Sequence, residues 1–296
     1  MRSLLVLACL LLAAAPASAQ DPDTLTAADG WRSSLVTQLS ASQAAFSNWQ
    51  EGGISAFTLS LSGDGDFDRV VGGVLVTQEA RAAFGLLKQD TLEARKAEDL
   101  LRYLLTADVQ TGGVFRPTAS LGLRTQFAPG YDYSPDPADY PDSLAVPAVG
   151  RLKVSDVFAP AQLTQSAGIA YVPGGGFEAR LGLGLKETVV GIQRLRPVYG
   201  NDVDQLVRVQ AGVDAGAKLI REIAPNVLLK SRLGVFQAFN EIGNTAPDIV
   251  FENTLAMKVN DFLNVNLDTA TIYDRDISDT LQLKEVLSIG IAYVFI

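Results

Sequence analysis

The last sixteen residues, LQLKEVLSIGIAYVFI, alternate to the end of the sequence: Leu281, Leu283, Leu287, Ile289, Ile291, Tyr293 and Phe295 take odd positions, and Gln282, Lys284, Ser288, Gly290 and Ala292 take even ones. A period of two sends successive side chains to opposite faces of an extended strand. The pattern recurs along the chain in about twelve segments separated by turn residues, most clearly at 176–189, 205–221, 225–240, 249–259 and 262–273. No stretch after the N-terminus offers the ~18 consecutive apolar residues that a spanning helix needs. The fold class is therefore all-β.

Two architectures use such strands: a sandwich or barrel with its apolar face inward, or a membrane barrel with its apolar face outward. Connection lengths favour the second. The segments 173–176, 224–226 and 260–261 are short, while those of the other parity, 88–98, 131–155, 192–204 and 241–248, are longer. Outer-membrane barrels alternate short periplasmic turns with longer outer loops in this way. The polar face agrees, because it carries Arg81, Arg102, Arg116, Arg124, Arg180, Lys186, Arg208, Lys218, Lys230, Arg232, Lys258 and Lys284. Each would cost ~2–4 kcal/mol facing lipid near the midplane, so these charges must face a lumen. The expectation is an up-and-down transmembrane antiparallel β-barrel of about 12 strands, with its last strand paired to its first so that no backbone edge meets hydrocarbon. Glu285 falls on the apolar parity; lying about eleven residues from the end, the length of a tilted spanning strand, it is expected at the outer rim.

Arg2, an apolar run over 4–15 and Ala17-Ser18-Ala19 read as a secretory signal peptide over 1–19. A short periplasmic segment, 20–30, then precedes a barrel over 31–296. Cys9, the only cysteine, leaves with the signal, so the mature chain has no thiol chemistry. Histidine is absent, which excludes a Ser-His-Asp hydrolase site and removes the commonest metal ligand. A net charge of −9 argues against a nucleic-acid partner.

The stretches FSNWQEGG (46–53), RTQFAPGYDY (124–133), SDVFAPAQLTQSAGIAYVP (155–173), TIYDRD (271–276) and LQLKEVLSIGIAYVF resemble, in order, an uncharacterised family of bacterial outer-membrane β-barrels classed as a domain of unknown function. The resemblance implies a barrel fold and an outer-membrane location, and it brings no activity or catalytic residues. The C-terminal alternation also resembles the signal read by the barrel assembly machinery. Expected partners are that machinery, outer-membrane lipid and lipopolysaccharide.

Few residues invite a sharper reading. Asp64-Gly65-Asp66-Phe67-Asp68 opens like a calcium loop, but Arg69 and Leu75 stand where an EF-hand needs Gly and Glu, so a periplasmic turn is expected. Tyr131, Tyr133 and Tyr140 lie with aspartates and prolines in the longest loop, as candidate extracellular contacts to a cation or sugar, or as interfacial anchors. Trp31 and Trp49 flank the first strand as interfacial anchors. Gly174-Gly175-Gly176 links two strands and is no phosphate loop. No catalytic, metal or cofactor site is assigned, and an enzyme is not expected.

Twelve strands ~4.8 Å apart, tilted ~40°, close a ring roughly 24 Å across, leaving a channel of at most about 12 Å. Against the basic residues, the same parity gives fewer lumen acids: Glu79, Asp108, Glu178, Asp214, Glu252 and Asp268. That excess of positive charge suggests a narrow diffusion channel for small anionic solutes. Two other readings stay open: a non-conducting structural or surface-binding barrel with its lumen closed by Arg-carboxylate bonds, and a transporter of a hydrophobic envelope component.

Overall fold

A computed structural model of the protein describes residues 30–44, 55–90, 92–240 and 246–294. The expected signal peptide, residues 20–29 of the segment after it, Trp49 and the terminal Phe295 and Ile296 lie outside the described residues. The strands are β1 (Arg32–Ala44), β2 (Ala56–Val71), β3 (Val74–Gln89), β4 (Arg95–Val109), β5 (Phe115–Thr125), β6 (Gly130–Asp132), β7 (Leu152–Ser155), β8 (Ala161–Gly174), β9 (Phe177–Val189), β10 (Val207–Ala224), β11 (Val227–Ala238), β12 (Asp248–Lys258), β13 (Leu263–Asp274) and β14 (Ser278–Val294). β6 and β7 pair with each other, and the other twelve form a closed barrel.

Every barrel strand runs antiparallel to its neighbours in chain order, and β14 returns to β1 in a register running from Val36↔Val294 to Ala41↔Ile289. Closure leaves the ring without an unpaired edge. At the end where β1 begins, connections are tight: 72–73, 110–114, 175–176, 225–226 and 259–262. Gly72 and Gly73 both take positive φ, +57° and +80°, as a two-residue primed hairpin turn requires. At the opposite end lie the long connections, 126–160 with β6 and β7, 190–206 with a 3-10 helix over Gln193–Tyr199, and 239–247.

The alternation read from the sequence determines which face meets what. Leu181 and Leu183 on β9 are 62% and 66% exposed, and Leu281, Leu283, Leu287, Ile289 and Ile291 on β14 are all more than half exposed. A water-soluble barrel would bury these rows, and lipid is the solvent that suits them. The inward face is lined by small and polar residues. Gly168 and Gly182 sit opposite each other there, where an added Cβ would come 2.1 Å from Leu181 O and 2.4 Å from Ala167 O. Glycine alone allows so close a wall. No helix among the described residues is long and apolar enough to cross a membrane.

Three expectations are corrected. Residues 64–68 form no turn: they lie inside β2, which continues to Val71. The connection expected over 88–98 shrinks to 90–94, because β3 runs to Gln89 and β4 starts at Arg95. Glu285 is not at the rim either. β14 rises a further seven residues to Ser278, and the outward Leu283 and Leu287 flank Glu285, which pairs with Thr269 inside the wall.

Candidate functional site

The lumen gathers nearly all the interior chemistry. On β12, alternation turns Glu252 inward between the outward Phe251 and Asn253. Arg102 of β4 and Arg124 of β5 reach it from the far wall, Arg124 Nη1 at 2.8 Å and Arg102 through a close hydrogen bond. Six strand-to-strand steps separate β4 from β12 either way round the ring, so this ion pair spans the bore. A second one stands beside it: Glu79 of β3 receives Lys218 of β10 and Arg232 of β11. Each carboxylate is held by two cations, and charge-assisted bonds of this kind are the strong ones.

These six side chains face two cavities at once. One, of about 740 Å³, is lined chiefly by β1, β2, β3 and β11–β14, with Gln38, Ser60, Asp66, Lys230, Asn266 and Asp268 on its wall. The other, of about 510 Å³, is lined chiefly by β4, β5 and β8–β12, with Gln162, Thr164, Arg180, Lys186 and Asp214 on its wall. The ion pairs therefore divide the bore. Around them, Arg81 bonds Asp64 at 3.1 Å, Lys284 bonds Glu98 at 3.0 Å, and Arg180 meets Glu178 and, at 3.7 Å, Asp108. Arg116 lies on the inward parity of β5 opposite Ala170, with its Nε buried and lacking a hydrogen-bond partner. Lys258 pairs with Asp261 at the tight-turn rim.

The charge balance differs from the sequence expectation. Asp64, Asp66, Glu98, Asp248 and Asp274 also line the cavities. The sequence pattern places two of them in a turn and the others in loops or at no lumen position; with them inside, the inward acids and bases are nearly matched. Their parity was legible: in Ser60 to Asp68 the residues Ser60, Ser62, Asp64, Asp66 and Asp68 alternate with Leu61, Gly63, Gly65 and Phe67.

At the long-loop end, Lys186 at the top of β9 bonds Asp248 and lies 3.6 Å from Asp274, and Arg208 on β10 bonds Asp276 in the β13–β14 turn. Burial raises the pKa of Asp276, but the hydrogen bond and charge of Arg208 outweigh it and hold the carboxyl below its ordinary range. The long loops are packed against each other. Tyr199 donates to Val154 O at 2.7 Å, and Ala159, Val190 and Leu195 form a small apolar core. Each of the three loop tyrosines has a partner within the protein. Tyr140 donates to Asp132 at 2.7 Å, Arg95 sits 3.9 Å over Tyr133, and Arg151 sits 4.3 Å over Tyr131. Burial raises the hydroxyl pKa of both Tyr140 and Tyr199. Trp31 is 54% exposed, with Arg69 over its ring at 5.5 Å.

Residues 41–131, from the end of β1 into β6, match the family described as Protein of unknown function (DUF3078). The resemblance to a family of unknown function is borne out over that stretch. A comparison with curated protein sequences finds no match. Among solved structures, the chain is similar to the translocator domain of autotransporter NalP from Neisseria meningitidis, at 11% identity over 91% of this chain and 90% of that one, with a TM-score of 0.38. It is similar to the COG4313 outer membrane channel from Pseudomonas putida F1, at 11% identity over 94% and 99%, with a TM-score of 0.38. A third likeness, to OmpT, an outer membrane protein of Vibrio cholerae, has 9% identity over 92% and 100% and a TM-score of 0.29.

Proposed function

We propose that this outer-membrane barrel is a latched, narrow passage for small polar solutes rather than an open diffusion pore. One observation carries the reading: Glu79 and Glu252 are each clamped by two cations from across the bore, and the same residues divide it into two polar cavities. An aqueous lumen of this width would admit small solutes if the bridges parted, and four cations around two carboxylates form a removable barrier. With inward acids and bases nearly matched, selectivity for anions is not expected. The protein is exported, and its apolar outer wall takes lipid as its partner.

Conductance across a planar bilayer tests this, with heat-modifiable gel mobility confirming the folded barrel. Wild-type protein should give small or rare steps, and the double variant Glu79→Gln, Glu252→Gln should give frequent and larger ones. Large, persistent wild-type steps would overturn the latch. Silence of a folded double variant would favour the second reading, a structural barrel whose lumen is closed by ion pairs.

A further inference from the structure

We infer that the cluster of Asp248, Asp274 and Asp276 at the extracellular mouth is a binding site for a divalent cation, calcium by its chemistry, with Lys186 as a built-in competitor. One ligand oxygen from each carboxylate lies within 4.8 Å of the others, a spacing that lets them converge on one ion. Three different elements supply them: the first residue of β12, the last of β13, and the turn that follows. Lys186 pairs with Asp248 and approaches Asp274, and Arg208 pairs with Asp276.

Gln210 adds the independent observation. Its side chain is 1% exposed; Nε2 donates to Asp276 at 3.1 Å, while Oε1 is buried without a hydrogen-bond partner. An unpaired buried amide oxygen costs on the order of a hydrogen bond, and with a cation seated among the carboxylates a half-turn of that amide would offer the oxygen to the ion in place of the Nε2–Asp276 contact. Three carboxylates, an amide oxygen and water make an all-oxygen set of the kind that hard cations take. The site also has an entrance, because Asp248 and Asp274 line the smaller cavity. Lys186 shares that wall, and its ammonium holds Asp248 and approaches Asp274, standing in for part of the missing charge. A bound cation would release it toward Asp214 on the same cavity wall. The ion would then tie β12 and the β13–β14 turn to β10. This inference does not depend on the lumen latch.

The test uses the folded, full-length barrel in detergent, titrated with Ca²⁺ by calorimetry and with Tb³⁺ by luminescence. Wild-type protein should bind one ion saturably. Lys186→Met should tighten binding at least ~tenfold by removing the competing charge. Asp274→Asn should weaken it at least ~tenfold while keeping the oxygen that accepts from Asp276 N–H. Gln210→Leu should weaken it by less, and heat-modifiable mobility verifies that each variant is folded. Binding that is absent, or that is unchanged or weakened in folded Lys186→Met, overturns the site. So does binding that Asp274→Asn leaves intact, since the ion would then sit elsewhere.

Discussion

Glu252 on β12 and Glu285 on β14 lie almost level, with only β13 between them, on opposite sides of the same wall. The register runs Glu252↔Ala270↔Lys284, which places Glu285 one residue further along β14 and facing out. Glu252 meets two arginines, whereas Glu285 has no partner among the described residues and stands between exposed leucines. The sheet treats the two carboxylates alike; their surroundings do not. Inward, the closed ring brings cations from the far wall within reach. Outward, only lipid and a short polar row, Ser231 to Asn253 to Thr269, lie alongside. A barrel can therefore stack charge on one face at little cost, while a single charge on the other is a liability or a contact.

The largest effect should come from breaking the inner half of this comparison. Glu252→Ala would strand Arg102 and Arg124 in the bore, and we expect a loss of about 2–4 kcal/mol, read as a lowered urea midpoint for unfolding from vesicles. An unchanged midpoint would mean that water in the cavities already solvates these charges. The outer half predicts the opposite sign. Glu285→Leu should stabilise the barrel by about 1–2 kcal/mol in the same assay, since an acid on the lipid face costs less than a lysine but is not free. Destabilisation would instead identify Glu285 as part of a contact with another membrane component.

Much of this contrast was readable in the chain, because parity alone puts Leu281, Leu283 and Leu287 on one side and Lys284 on the other. The strand count and closure follow from the same period. What parity does not supply is the partner across the bore. Arg102 and Glu252 are 150 residues apart and meet only because the ring places β4 opposite β12. Strand ends were harder still. Asp64 and Asp66 resemble turn residues by composition, yet alternate with glycines inside β2, and the rise of β14 above Glu285 depends on where a hairpin turns rather than on any local pattern.

The comparison extends to the long loops, where the charge that burial resists is a phenolate. Burial raises the Tyr199 pKa above its ordinary value of about 10, so the neutral, hydrogen-bonded hydroxyl is the form the fold favours. Its contribution is complete below pH 10 and fades as pH rises from there toward the raised folded value. Protease cleavage within 126–160 should accelerate over that window, and Tyr199→Phe should flatten the dependence while costing about 1 kcal/mol at neutral pH.

The smallest effect belongs to an ion pair of the same chemistry placed in water. Lys258 and Asp261 meet at 2.9 Å across the β12–β13 turn, with side chains 51% and 94% exposed. Screening and the entropy of fixing two mobile side chains leave such pairs worth at most ~0.5 kcal/mol. Asp261→Asn should therefore leave the urea midpoint nearly unchanged at both low and high salt. A loss approaching that of Glu252→Ala would mean that removing any paired acid costs about the same. The stabilisation in the bore could then no longer be attributed to its enclosed geometry.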